Sequence, residues 1–250
     1  MPERPEVIPF PPPRRAPPPP LPEPPPALDG AVALHAGRRL LDGLTLRLPG
    51  RGVTALLGPR GAGKTLALEV LAGLVPLDLG EVHALAPATA LVPRGAALLR
   101  RPVRANLDHA LRAARVRRRE RPARIEALLS LAGLAALADR PARALPPGEA
   151  RRLAVARALA ASPRLLLLDE PAAGLDPRAA AELDALIRRI VAEDVAVLLA
   201  TDDPLQAARL AEHTIFMHRG RDHETGPTAE LLARPVSDPA RAWLSGQLLP

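Results

Sequence analysis

The chain has 250 residues, 48% of them hydrophobic and 1% aromatic, with a formal net charge of +7 and no cysteine. That length supports one good core with room for an inserted subdomain, and not two large independent domains. The lack of cysteine excludes disulfides, a thiolate zinc site and a thiol nucleophile, and Asp, Glu, Arg or Pro interrupts every apolar run before the roughly 20 residues needed to span a bilayer.

In chain order, residues 1 to about 27 are dominated by proline, including Pro11-Pro12-Pro13, Pro17-Pro18-Pro19-Pro20 and Pro24-Pro25-Pro26. Such a segment forms neither helix nor ladder and predicts a disordered or polyproline II tail. No charged and apolar leader pattern is present there, so the expected compartment is cytoplasmic. The folded domain is expected over 28–246, with 247–250 as a C-terminal tail.

Ala31 to His35 and Leu44 to Leu48 read as an opening strand pair, and Val53 to Leu57 as a buried strand. Leu66 to Leu74 reads as a helix, and Val82 and Ala88 to Val92 as further strands. Between about Val103 and Leu137 the pattern turns helical only, with segments Ala105 to Arg118 and Ile125 to Leu137. A helical subdomain inserted at about 96–141 is therefore expected. Alternation then resumes with helix Glu149 to Ala160, strand Leu165 to Leu168, helix Arg178 to Ala192 and strand Val195 to Ala200. Pro204 to Ala211, Ile215 to His218 and Thr228 to Ala233 complete a helix, strand and helix series before a short polar tail. The order is that of an α/β domain with a mainly parallel sheet. The densest basic stretch, Arg112 to Arg121, reads first as a solvated helix face, with lipid headgroups, a partner or nucleic acid as alternatives.

The only lysine, Lys64, lies in Gly58-Pro59-Arg60-Gly61-Ala62-Gly63-Lys64-Thr65, a complete match to the phosphate-cradling pattern G-x-x-x-x-G-K-[ST]. A compact ammonium can lie along the β- and γ-phosphates of a nucleotide where a planar guanidinium is too bulky. The glycines let backbone N–H groups wrap a polyphosphate without a Cβ in the way. Thr65 offers a hydroxyl to Mg²⁺, and the strand before and helix after the loop are the required context. Further on, Leu165-Leu166-Leu167-Leu168-Asp169-Glu170-Pro171 puts two carboxylates at the end of a buried strand, where parallel sheets present ligands. Asp169 is expected to hold Mg²⁺ and Glu170 to polarise an attacking water.

With these motifs in this order, the chain from roughly Val32 to Gly246 resembles the nucleotide-binding subunit of ABC transporters. Ala173-Gly174-Leu175-Asp176-Pro177 looks like the family's D-loop, and Glu149 to Leu159 is similar to the helix after its LSGGQ signature. Gln206-Ala207-Ala208-Arg209, Phe216, Gly220, Gly226-Pro227-Thr228 and the stretch from Pro235 to Gly246 look like the phosphate-importer ATPases. The resemblance implies a P-loop NTPase fold: a mainly parallel central sheet, an N-terminal antiparallel β part and an inserted helical subdomain. It implies ATP and Mg²⁺ as cofactors, permease membrane subunits and a second ATPase subunit as partners, and a solute-binding protein reached through the permease. The implied location is the inner face of the cell membrane, peripheral to it, with no specific nucleic acid.

Several positions depart from the family pattern. Leu145-Pro146-Pro147-Gly148-Glu149 stands where the family has LSGGQ, losing the Ser hydroxyl and a backbone N–H, although prolines suit a helix start. Of that motif Gly148 is retained as an ATP-facing residue. Arg94 aligns with the family's Mg²⁺- and water-positioning Gln, and Asp202 with its switch His. A carboxylate at that switch position is expected to repel a γ-phosphate. His35 aligns with the aromatic that stacks on adenine. Three readings follow: an ATPase driving import of phosphate or a related oxyanion and hydrolysing through Glu170, a MgATP-binding regulatory partner with little turnover, and a soluble nucleic-acid-associated ATPase.

Overall fold

The computed structural model describes residues 27–83, 89–95 and 97–247, with the backbone alone at His35. The proline-rich tail up to Pro26, Ala88 and residues 248–250 lie outside the described residues, and Ala27 already belongs to a strand. The chain runs β1 (Ala27–His35), β2 (Arg38–Arg47), β3 (Val53–Leu57), α1 (Lys64–Leu71), β4 (Leu79–His83) and β5 (Thr89–Val92). Helices α2 (Val103–Ala113), α3 (Arg121–Ala132) and α4 (Pro147–Leu159) follow without an intervening strand. The remainder is β6 (Leu165–Asp169), α5 (Pro177–Ala192), β7 (Ala196–Thr201), α6 (Pro204–Leu210), β8 (His213–His218), β9 (Arg221–Pro227), α7 (Thr228–Ala233) and α8 (Asp238–Leu244).

Two sheets form. One is a three-stranded antiparallel sheet in the order β2-β1-β4; the other has six strands in the order β5-β6-β7-β3-β8-β9, parallel except for the edge strand β9. The continuous leucines of β6 explain why the larger sheet is covered on both faces. Leu165 and Leu167 join a core with Leu28, Leu41 and Leu44 of the small sheet and Leu68 of α1. Leu166 and Leu168 point the other way, into a core with Leu107, Leu128, Leu153, Leu183 and Ile187 of the helices. Each such leucine, fully buried, contributes about 1.5–3 kcal/mol, and the period of two divides them between the layers. Helix α1 is thereby clamped between the sheets, which fixes the loop that precedes it.

Helix starts follow local chemistry. Asp176 accepts from Ala179 N at 2.9 Å ahead of Pro177, and Asp203 accepts from Leu205 N at 2.8 Å ahead of Pro204. The helical insertion is present, but the middle of the basic run is not on a helix; Arg112 lies in the last turn of α2 and Arg121 opens α3. Helix α2 ends at Ala113, and Arg115 to Glu120 form the turn before α3, with Arg115 at φ +59°. Arg115, Arg117, Arg118 and Arg119 are exposed there. Two elements fall where the sequence reads as turn or tail: β9, whose residues alternate between exposed and half-buried, and α8, capped by Ser237.

Candidate active site

Strands β6, β7 and β3 are consecutive neighbours in the large sheet, and their C-terminal ends deliver Asp169-Glu170, Asp202 and the phosphate loop to one edge. That edge is where an open parallel sheet presents its ligand site. The phosphate loop is held from behind by β8: a Cβ at Gly58 would come within 2.0 Å of the Met217 carbonyl. Gly63 caps α1 at φ +101°, and a Cβ there would meet Leu40 O and Met217 Cε at 2.9 Å. No side chain caps α1, so its N-terminal N–H groups and positive dipole end face the loop's interior.

Lys64 is buried, and its Nζ donates to the carbonyls of Gly58 at 2.7 Å and Pro59 at 3.0 Å. The same ammonium lies 3.7 Å from Glu170 Oε1. Burial lowers the Lys64 pKa, and the opposing charges of Glu170, Asp202 and Asp169 act against that shift. Glu170 is raised from its ordinary range by burial first and by the Asp202 charge second. Its backbone sits at φ +44°, a left-handed conformation costing about 1–2 kcal/mol for an L residue, while its N–H donates to Ala200 O at 2.9 Å. Thr65 Oγ1 lies 3.1 Å from both carboxylate oxygens of Asp169.

Of the two adjacent acids after β7, Asp203 is consumed as the α6 cap, and Asp202 turns to the site. There it accepts from Arg60 Nε at 3.0 Å. The carboxylate expected to repel a γ-phosphate is ion-paired with the phosphate loop itself. Arg94 is exposed after β5, close enough for its charge to lower the pKa of Glu170. Sequence reasoning missed Arg151 of α4, which donates to Pro93 O at 3.4 Å and senses the charges of Asp169 and Arg94. Its only sequence signal is its place about one turn into α4.

Gly148 is buried at the head of α4, where a Cβ would approach Ala179 Cβ of α5 to 2.6 Å, so a packing reason for the glycine exists within this chain. Pro146 and Pro147 are exposed and start α4 as expected. The backbone of His35 pairs with Arg38 across the β1–β2 turn, and its side chain lies outside the described residues.

These residues fit a magnesium nucleotide. Gly61 stands at φ +79° with nothing within 4 Å of an added Cβ, leaving open space over the loop, and Lys64 Nζ already rests on oxygen acceptors that a phosphate can replace. Thr65 and Asp169 are hard oxygen donors of the kind Mg²⁺ takes alongside substrate phosphates. Among the described residues no cluster of three His, Cys, Asp or Glu side chains could hold a metal ion.

A model of the family described as "ABC transporter" matches residues 41–173. The chain is 38% identical over 229 residues to the molybdenum import ATP-binding protein ModC of Thiobacillus denitrificans, covering 82% of this chain and 62% of that protein. It is 35% identical over 224 residues to the Fe(3+) ions import ATP-binding protein FbpC of Streptomyces avermitilis, covering 85% and 65%. The chain therefore spans under two thirds of the length of either relative. In fold it is similar to MJ1267, an ATP-binding cassette of an ABC transporter in its ADP conformation (TM-score 0.73, 19% identity, 84% of this chain and 95% of the other). It is also similar to cbiO1 from Clostridium perfringens, part of the ABC transporter complex cbiONQ (TM-score 0.74, 24% identity, 84% and 90%). The expected α/β P-loop fold is therefore correct, and the chain belongs to the ABC transporter family.

Proposed function

We propose that this chain is the ATP-binding and ATP-hydrolysing subunit of an importer, acting with Mg²⁺, a second ATPase subunit and permease membrane subunits. The observation that carries this reading is the convergence of Lys64, Thr65, Asp169 and Glu170 at one sheet edge. Gly58, Pro59, Arg60, Gly61, Ala62 and Gly63 wrap the phosphates with their backbone, and Lys64 exchanges the loop carbonyls for phosphate oxygens. Thr65 and Asp169 hold the metal, which neutralises charge on the β- and γ-phosphates when bound. Glu170 takes a proton from the attacking water, and the burial that raises its pKa makes it a stronger base.

His35 serves the adenine end, Arg94 and Asp202 the γ-phosphate end, and Gly148 the nucleotide of the facing subunit. The exposed Pro146 and Pro147, with no N–H to offer, favour an arrangement in which a partner supplies the fuller signature. Among the described residues no helix is long and apolar enough to cross a membrane, in keeping with a subunit docked on the cytoplasmic face.

The relatives' names, molybdenum and Fe(3+) import, support an inorganic-ion cargo; of the expected phosphate or related oxyanion, phosphate itself has no support among them. The test is MgATP binding by calorimetry, with phosphate release from the purified protein and from Glu170→Gln. Binding with turnover that vanishes in Glu170→Gln is expected. Absence of binding would overturn the reading, and binding without turnover would restrict it to a nucleotide-sensing half of a pair.

A further inference from the structure

We propose that Arg60 and Asp202 form a clasp across the mouth of the phosphate loop, an autoinhibitory contact that the terminal phosphate of a nucleoside triphosphate opens by taking Arg60 for itself. The inference rests on the nucleotide-binding reading of the same site. Arg60 belongs to the loop after β3 and Asp202 to the loop after β7, so their 3.0 Å ion pair ties together two loops on neighbouring strands. The pair lies beside the reacting corner: Asp202 acts electrostatically on both Lys64 and Glu170.

The clasp is built to open. Gly61, next to Arg60, has a left-handed backbone at φ +79° and nothing within 4 Å of an added Cβ, while the side chains of Arg60 and Asp202 are 74% and 30% exposed. An open depression of about 420 Å³, lined by Arg60, His218, Arg219 and Trp243, leaves one side of the arginine unpacked. Among the described residues the hydrogen-bond donor recorded to the Asp202 side chain is Arg60, while the neighbouring Asp203 makes the α6 cap.

Charge decides the exchange. A terminal phosphate carries more charge and more acceptor oxygens than one carboxylate, so it is the better partner for a guanidinium. Its arrival also brings like charge against Asp202, which weakens the hold of Asp202 on the mouth. A nucleoside diphosphate lacks the group that makes this exchange. The clasp therefore lowers affinity for the triphosphate more than for the diphosphate and sets a threshold for loading.

The test measures MgATP and MgADP affinity by calorimetry in the non-hydrolysing Glu170→Gln background, adding Asp202→Asn, Arg60→Gln and both. Asp202→Asn is expected to tighten MgATP by about five- to twentyfold and MgADP by less than about twofold, from loss of an exposed pair and of like-charge repulsion. Arg60→Gln is expected to weaken MgATP by about fivefold, and by more once Asp202→Asn has freed the arginine. Urea unfolding midpoints confirm that each variant is folded. Unchanged or weaker MgATP binding in Asp202→Asn, or equal shifts for both nucleotides, would overturn the clasp alone. A parent protein that binds neither nucleotide, or a Lys64→Ala variant that binds them as tightly as the parent does, overturns the functional reading and the clasp with it.

Discussion

Lys64 Nζ and Glu170 Oε1 lie 3.7 Å apart with side chains only 5% and 8% exposed, yet the shorter contacts of the ammonium are to the carbonyls of Gly58 and Pro59. The lysine is therefore held most closely by neutral acceptors that an anion can displace, with the Glu170 carboxylate as its neighbouring counter-charge. Lys64→Ala is expected to lower MgATP affinity by about 100-fold or more, from two charge-assisted hydrogen bonds of roughly 1.5–3 kcal/mol each. Circular dichroism should stay native, because the fold rests on the leucine layers and not on this pair. Calorimetry showing unaltered affinity would remove Lys64 from the site.

Glu170 gives a pH prediction with a definite sign. Its pKa is raised above 4.5 in the folded protein, by burial and then by Asp202, so the folded state holds this proton more tightly than the unfolded chain does. The stabilisation this supplies is complete below pH 4.5 and is lost as pH rises through the folded pKa. Glu170→Gln escapes that loss. Its urea midpoint is expected to exceed the parent's at pH 7.5, with the difference shrinking as pH falls to 4.5. The same variant is expected to lose turnover by about 10²–10⁴-fold, the usual contribution of a positioned general base. A midpoint difference that does not change with pH would contradict the raised pKa.

Where pattern and chemistry coincide, the sequence was legible. The four leucines before Asp169 specify a strand covered on both faces, and the predicted strand Val53 to Leu57 has the observed bounds. The carboxylates and the phosphate loop could be anticipated because strand ends on a parallel sheet share an edge. The polar β9 could not, since its pairing with β8 relies on backbone hydrogen bonds at a sheet edge rather than on an apolar face. Nor could α8, whose start depends on the Ser237 cap. Arg115 to Glu120 carried helix-compatible residues, but a single left-handed residue at Arg115 ends α2. The Arg60–Asp202 pair was hidden for another reason: its partners are 142 positions apart, and only the order of strands brings them together.

Thr65 and Asp169 lie at hydrogen-bonding distance, 3.1 Å from the hydroxyl to either carboxylate oxygen, so the hydroxyl is already oriented for a shared cation. Thr65→Val keeps the shape and removes the oxygen. The Mg²⁺ concentration needed for tight ATP binding is expected to rise about 10–100-fold, the scale seen when a supporting ligand interaction is lost. ATP affinity without Mg²⁺ should barely move, and Thr65→Ser should restore the metal dependence. Equal losses with and without Mg²⁺ would assign Thr65 to phosphate binding instead.

Gly148 separates packing from ligand contact. Its backbone is not in the left-handed region, so alanine is conformationally acceptable there and, in a helix, even favoured by up to about 1 kcal/mol. The obstacle is Ala179 of α5, whose Cβ would lie 2.6 Å from the new methyl. Both atoms are on short, inflexible side chains, so relief requires α4 and α5 to move apart. Gly148→Ala is therefore expected to lower unfolding stability by about 1–3 kcal/mol, the range for overpacking. Adding Ala179→Gly should recover most of that loss, apart from about 1 kcal/mol of helix propensity. A double variant no more stable than the sum of its parts would show that the glycine is not kept for this contact, and nucleotide binding by a mixed dimer would then be the place to look for its role.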